Sequence, residues 1–529
     1  MATTLERSAA STWHRPRLAL ATVSFVLFLT FLDNTIVSVV LADVQGSLHA
    51  GVGGLQWVVN GYALTFAGCM LAFGTLGDLF GRKKVMLGGV AVFCLGSVIG
   101  ALAPTTNWLI AGRVIMGLGA AASEPGTLSM IRHLYPDRGE RAFAYGVWSA
   151  VSGLALALGP VIGGALAGLW SWRAVFWFNV VFGLAALAGA WWALPEQSDP
   201  GDRRLDIGGF ALGAASLTAA AFAVIAGETA GYLTWWVDLL FAGGLLGIAA
   251  FVVVERRAAH PVLDVRSFRR PAFTGSNLVA FTTFFSVFSL FFFVALYLQT
   301  VGTSSSYATA VDFVPMAGAM VVASVATGRW IGRSGPRLAM TVGCLLAGVG
   351  VLLTDVQLHP SSGLADIGWT MALAGIGFGM ALVPVTSSAM SVIGAERSGM
   401  AASMTNTSRE LGAVAGVAIL GSIVNGQLTV QLVHRLTVLG IPKQFRDAVV
   451  TAVTTGTFNS QAGNAAASNK SIAGIVHEIL QAAYGAFSHG LDLALMIAGA
   501  LMLLSAIVAL VTLRVSPSAQ ARAAERGSA

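Results

Sequence analysis

Fourteen stretches of this chain are each apolar over the ~20 residues that a helix needs to cross a bilayer core of ~30 Å. They cover 18–41, 55–76, 85–103, 107–131, 143–168, 174–195, 207–227, 235–254, 273–298, 308–331, 338–357, 364–390, 401–424 and 487–513. Only 10% of the 529 residues are charged, whereas a soluble chain carries roughly a quarter. The protein therefore cannot coat a water-facing surface of its own size, which excludes a large soluble enzyme. Disorder is excluded as well, because disordered chains are polar and charged. A membrane barrel would show alternating segments of about ten residues, so the expected class is an all-α polytopic membrane protein. Arg7, Arg15 and Arg17 precede a first apolar run that continues from Leu18 to about Leu41. That is too long for a signal-peptide core and reads as a retained span.

The basic residues orient the spans. The net charge is +6, and the cations lie in short loops instead of one patch, which argues for membrane topology over nucleic acid. With the N-terminus inside, the inner segments hold 23 Lys and Arg, among them Lys83, Lys84, Arg132, Arg256, Arg257, Arg269, Arg270 and Arg333. The outer segments hold five: Arg173, and Arg435, Lys443, Arg446 and Lys470 in one long loop. Both termini are expected in the cytoplasm, in a plasma (inner) membrane. Arg and Ala bias suggests a bacterial genome. Cys69, Cys94 and Cys344 lie in apolar stretches without metal spacing and read as small hydrophobes.

The chain repeats itself at an offset of about 254 residues, which carries Gly74 and Gly81 onto Gly328 and Gly335. The expected layout is a tail over 1–17, a six-helix bundle over 18–195, two linking spans over 207–254, a second six-helix bundle over 273–513, and a tail over 514–529. A long outer loop over 425–486 interrupts the second bundle, with short amphipathic helices expected at Pro442–Val453 and Ser471–Phe487. Parallel repeats of this kind are a transporter plan.

Four motifs carry a resemblance. Gly74-Thr-Leu-Gly-Asp78-Leu-Phe-Gly81-Arg82 follows the second span; its glycines allow a tight turn and its charges can lock neighbouring helix ends. Leu32-Asp33-Asn34-Thr35 lies in the first span, Arg113-Val-Ile-Met-Gly117-Leu-Gly119 in the fourth, and Gly153 with Gly159-Pro160-Val-Ile-Gly163-Gly164 in the fifth. Together they resemble the major facilitator superfamily and, within it, the fourteen-span drug:proton antiporters. Ser38 and Ala42 stand where that family usually has Asn and Pro, which predicts a straighter outer end for the first span. The resemblance implies a 6+2+6 fold, a large apolar cavity between the halves, and export. It also implies the gate and hinge positions Gly74, Asp78, Gly81, Arg82, Gly153, Gly159, Pro160, Gly163 and Gly164.

Charges at bilayer depth cost several kcal/mol and mark function by default. Asp33 lies eight residues from the outer end of its span and Arg113 six from the outer end of its own, about 12 and 9 Å deep, so the two can meet. Arg113, Gly117, Ala120 and Glu124 form one helical stripe. Arg409 and Glu410 fall within the thirteenth span, and Asp312 near the outer end of the tenth. The expected proton-coupling set is Asp33, Arg113, Glu124, Glu410 and Asp312, against the alternatives of a static ion pair and of packing hydrogen bonds. Substrate-lining candidates, by residue type and depth, are Asn34, Trp57, Tyr62, Trp148, Phe285 and Phe288. Aromatic faces with a few acids suit lipophilic cations.

The dipeptide Gly-Lys does not occur, so there is no Walker A loop and an ion gradient is the expected energy source; the resemblance implies that it is a proton gradient, and no cofactor or metal is expected. The expected partners are a small lipophilic substrate, protons and membrane lipid, with no nucleic acid and no obligate protein partner. The expected function is proton-coupled multidrug efflux; a dedicated exporter of one endogenous antibiotic or lipid is the alternative. A lipid-modifying membrane enzyme would need clustered catalytic groups, whereas the eight histidines are scattered.

Overall fold

In lipid every backbone N–H and C=O must be paired within the protein, and a helix does this inside each segment. The computed structural model describes residues 16–135, 137–196, 207–231, 234–257, 265–392, 398–438, 440–441, 443, 446, 449–450 and 470–513. Among these residues the secondary structure is helical throughout. In chain order the α-helices are α1 (Pro16–Ile36), α2 (Leu41–Leu48), α3 (Val52–Phe80), α4 (Arg82–Ala101), α5 (Thr106–Leu134), α6 (Arg138–Leu169) and α7 (Arg173–Ala193). They continue as α8 (Ile207–Ala230), α9 (Trp235–Arg257), α10 (Pro271–Thr300), α11 (Ser306–Ser334), α12 (Pro336–Gln357), α13 (Leu364–Val392), α14 (Ser398–Val438) and α15 (Lys470–Thr512). Helices α1 and α2 form one membrane-length unit, so fourteen helical units result, of which eleven are long and apolar enough to cross a membrane among the described residues. The end of the bundle that carries Pro16 is termed proximal, and the end that carries Leu48 distal.

The same pattern of neighbours occurs twice. Helix α4 packs on α5 and α7, α3 on α5, and α1 on α5, α6 and α7. Correspondingly α12 packs on α13 and α15, α11 on α13, and α10 on α13, α14 and α15. The two six-helix sets meet along two seams, α6 with α11 and α3 with α14. Helices α8 and α9 pair with each other, and α8 lies against the α3–α14 seam. Between lipid-embedded helices the attraction comes from close packing, which favours small residues. Gly89, Gly96, Gly112 and Gly119 place the backbones of α4 and α5 in contact, and Gly343, Gly350 and Gly377 do the same for α12 and α13.

The first span is not straight. It breaks at a 3-10 turn over Ser38–Val40 before α2, even without the expected proline. Ser38 Oγ donates to the Thr35 carbonyl at 2.6 Å, and Thr35 Oγ1 donates to the Leu156 carbonyl of α6 at 3.0 Å. A side chain that bonds the preceding turn competes with the helix ladder. Helices α14 and α15 also extend beyond their apolar runs, so both flanks of the expected 425–486 loop are helix, and Ser471–Phe487 lies inside α15. Leu428, Leu432 and Leu436 recur every four residues and are buried; the helical period persists where mean hydropathy has already fallen. Residues 451–469, the tail over 514–529 and positions 1–15 lie outside the described residues.

Candidate functional site: a charged cluster between the two bundles

Helix α1 places Asp33 and Asn34, α5 places Arg113 and Glu124, and α14 places Asn406, Arg409 and Glu410; all seven are buried. Arg113 Nη1 forms an ion pair with Asp33 Oδ2, as their matched depths predict. The other carboxylate oxygen, Oδ1, accepts from Asn179 Nδ2 of α7 at 2.5 Å. Arg113 Nε donates to the Val58 carbonyl at 2.8 Å, and its guanidinium lies 4.4 Å from the Tyr62 ring centroid. The Tyr62 hydroxyl in turn donates to the Thr30 carbonyl at 2.9 Å. Asp33 and Arg113 are thus held within one bundle, with Arg113 Nη2 left without a hydrogen-bond partner.

Two further carboxylates bond across the bundles. Asn34 Nδ2 donates to Glu410 at 3.2 and 3.4 Å. Reciprocally, Asn406 Nδ2 of α14 donates to Glu124 Oε1 of α5 at 2.9 Å. Arg409 Nη1 donates to Asn406 Oδ1 at 3.2 Å and so turns the Asn406 amide nitrogen toward Glu124. Arg409 Nη2 donates to Thr386 Oγ1 at 2.6 Å, and its guanidinium lies 5.5 Å from the Phe284 ring centroid. Arg409 is within electrostatic reach of both Glu124 and Glu410. Glu124 Oε2 has no partner.

The cluster holds three carboxyl groups and two guanidinium groups. With every group ionised it carries one surplus negative charge at a depth where an uncompensated charge costs several kcal/mol. One bound proton or one monovalent cation would bring that sum to zero.

The remaining candidates divide. Trp148 Nε1 donates to Thr127 Oγ1 at 2.9 Å, one turn from Glu124, so Trp148 belongs to the cluster. Trp57 does not: it packs 5.0 Å from Phe222 of α8. Phe285 and Phe288 are buried on α10, but the ring beside Arg409 is Phe284, which stacks on Phe288 at 5.7 Å. Asp312 sits apart from the cluster and accepts a hydrogen bond from the Leu364 backbone. The pocket at this level, lined by Ser152, Phe284, Ser324, Leu382 and Arg409 among others, is too narrow for a drug-sized molecule.

The gate and hinge positions lie at the two ends. At the distal end Gly159 and Gly163 of α6 receive the broken turn of the first span at Thr35, Ile36 and Val39, while Gly164 and Gly168 receive Ser306, Tyr307 and Ala310 of α11. Pro160 lies inside α6 between these contacts. Ser306 Oγ donates to Asp43 Oδ2 of α2, and Gln299 Nε2 donates to the Val39 carbonyl at 2.6 Å. The distal end is therefore closed. Gly153 faces Ser324 midway along the same seam. At the proximal end Gly74 packs on Pro125, and Gly81 adopts φ +105° with the Glu196 carboxylate against it, where a Cβ would collide. Arg82 is buried at the start of α4. Asp78 falls in α3, and its side chain lies outside the described residues.

Sequence reasoning missed Asn179, Asn406 and Phe284. A signal for the first two existed: amides in otherwise apolar spans bond across helices.

Two pseudo-repeated six-helix bundles, closed at one end around a buried charged cluster, define a polytopic membrane transporter. The sequence comparisons agree, since residues 23–417 match the Major Facilitator Superfamily. The chain belongs to that superfamily. It is 33% identical over 415 residues to the multidrug resistance protein Stp of Mycobacterium tuberculosis, covering 78% of this chain and 77% of that one. It is 30% identical over 515 residues to the tetracenomycin C resistance and export protein of Streptomyces glaucescens, covering 96% and 93%. Among solved structures, an inward-facing bacterial homologue of the lysosomal transporter Spinster shares the fold, with TM-score 0.61 and 18% identity over 95% of this chain and 99% of that one.

Proposed function

We propose that the protein is a proton-coupled exporter of lipophilic cationic or amphiphilic compounds in a bacterial plasma membrane, with its proximal end and both termini in the cytoplasm. The surplus carboxylate of the central cluster carries this reading. A proton taken from outside balances the cluster during the return, and a cationic cargo balances it during export. Each state therefore excludes the other ligand, which is the requirement for exchange. Asp33, Glu124 and Glu410 hold the exchangeable charge, and Arg113 and Arg409 fix the balance. The names of the relatives, a multidrug resistance protein and a tetracenomycin C export protein, support the export direction.

Proteoliposomes with an imposed pH difference test the reading, with movement of protons driven by tetraphenylphosphonium as the readout. The wild type is expected to couple the two fluxes, and Asp33→Asn to uncouple or arrest them. Coupled transport at an unchanged rate in Asp33→Asn refutes the assignment. A second reading, export of one endogenous product, is favoured by similarity to the tetracenomycin C exporter over nearly its whole length. Resistance of expressing cells to a panel of unrelated toxic compounds separates the two: broad resistance fits the first, resistance to a single chemotype the second.

A further inference from the structure

Gln56 and Asn60 stand one turn apart on α3, both completely buried, and none of their four amide atoms has a hydrogen-bond partner. Opposite lies α14. The Gln56 amide rests on Gly421, where a Cβ would fill its space, and one turn beyond, Asn425 Oδ1 is also unpaired. Deeper in the seam the contact becomes apolar, with Ala63 and Leu64 against Val414 and Ala418. Helix α8 covers the outside through Trp57–Phe222. Gln56 and Asn60 are four and eight residues from the distal end of α3, about 6 and 12 Å. Arg113 is seven residues from the distal end of α5, about 10 Å. The amides therefore begin at the level of Arg113 and lead to the distal surface.

Buried polar atoms in folded proteins are nearly always paired. Four unpaired ones on a single helix face, in a seam between the two bundles, fit a site whose partner arrives when the seam opens. A primary amide offers donors and an acceptor but no charge. It selects neutral carbonyl, hydroxyl and amide groups, whereas the central cluster selects charge.

We propose that Gln56 and Asn60 form a second, distal station for the exported compound, which binds its neutral hydrogen-bonding groups when α3 and α14 separate. The inference rests on the exporter reading above. It also explains why polar side chains persist where apolar ones would pack at lower cost.

The test is proton-driven uptake into inside-out vesicles of two probes at sub-saturating concentration. Tetraphenylphosphonium has no hydrogen-bonding group, and puromycin has an amide and hydroxyls. In Gln56→Leu/Asn60→Leu, puromycin uptake is expected to fall about tenfold while tetraphenylphosphonium uptake stays within about twofold, since each lost hydrogen bond weakens binding severalfold. The thermal midpoint of the purified variant is expected to rise. Gln56→Met, nearly the same shape, gives the same selectivity to a smaller degree and covers the case in which the double variant is not produced. Equal losses for both probes, or no loss for either, overturn the proposal. Wild-type vesicles that take up neither probe refute the exporter reading itself, and this inference falls with it.

Discussion

Replacing Arg113 by Met removes the counter-charge of Asp33 while keeping much of the side chain's length. Asp33 is then left with Asn179 alone, because no other cation touches it among the described residues. Removing one member of a buried pair costs about 3–5 kcal/mol, most of it from the charge left uncompensated. Loss of the guanidinium over Tyr62 adds about 1–2 kcal/mol. Arg113→Met is therefore expected to lose about 4–7 kcal/mol of stability. Asp33→Asn/Arg113→Met removes both charges, and the amide carbonyl that replaces the carboxylate still accepts from Asn179. The double variant should recover all but about 1–2 kcal/mol of the wild-type value. Reversible unfolding in mixed micelles of denaturing and mild detergent measures all four corners of the cycle. Equal stability of the single Arg113 variant and the double variant would refute the claim that Arg113 exists to hold a charged Asp33. The double variant, although stable, is expected to show no proton-coupled transport.

Three further outcomes follow from the seams. Gly164→Leu places a side chain into Ser306 and Ala310 of α11; it should hold the distal end apart and reduce transport to below about a tenth, since the overpacked contact cannot re-form. Gly426→Leu, on a part of α14 where a Cβ meets nothing, should transport normally in the same vesicle assay. Joining Asp43→Cys to Ser306→Cys with a short thiol cross-linker, after replacing Cys69, Cys94 and Cys344, should arrest transport until a reductant is added. Unimpaired turnover of the cross-linked protein would show that the distal end need not open.

The sequence contains the fold because lipid removes most of the choices. Span length, apolar content and the distribution of Lys and Arg already require a helical bundle, and a 254-residue offset between glycine pairs reveals the doubling. Part of the site was equally legible: Asp33 and Arg113 are expensive at their depth, and counting rise per residue brings them to one level. The amides were not. Asn179 and Asn406 bear no charge, and only the packing of α7 on α1, and of α14 against α5, shows which carboxylate each one reaches. Among the aromatic candidates, Tyr62 and Trp148 lie beside the charged groups, whereas residue type alone did not separate the others. Trp57 and Phe284 are both aromatic, and only the packing of their helices shows that one meets Phe222 of α8 and the other Arg409. The break in the first span also escaped the sequence, since Ser38, not a proline, provides the competing hydrogen bond.

The charge count makes its own demand on the acids. Asp33→Asn, Glu124→Gln and Glu410→Gln each remove one carboxylate from a cluster of three opposed by two guanidinium groups, so all three bring the sum to balance. They differ in what they orphan. Asp33→Asn strips Arg113 of its counter-ion and should cost about 3–5 kcal/mol. Glu124→Gln and Glu410→Gln keep a carbonyl oxygen for Asn406 and Asn34, and should change stability by about 1 kcal/mol or less. If exchange depends on the surplus charge, those two stable variants should nevertheless bind tetraphenylphosphonium weakly and lose the dependence of its export on an imposed pH difference. Equilibrium binding and vesicle flux on the same preparations decide the matter. Retained coupling in both variants would mean that the cluster is a static clasp between the bundles and that the exchanged proton resides elsewhere.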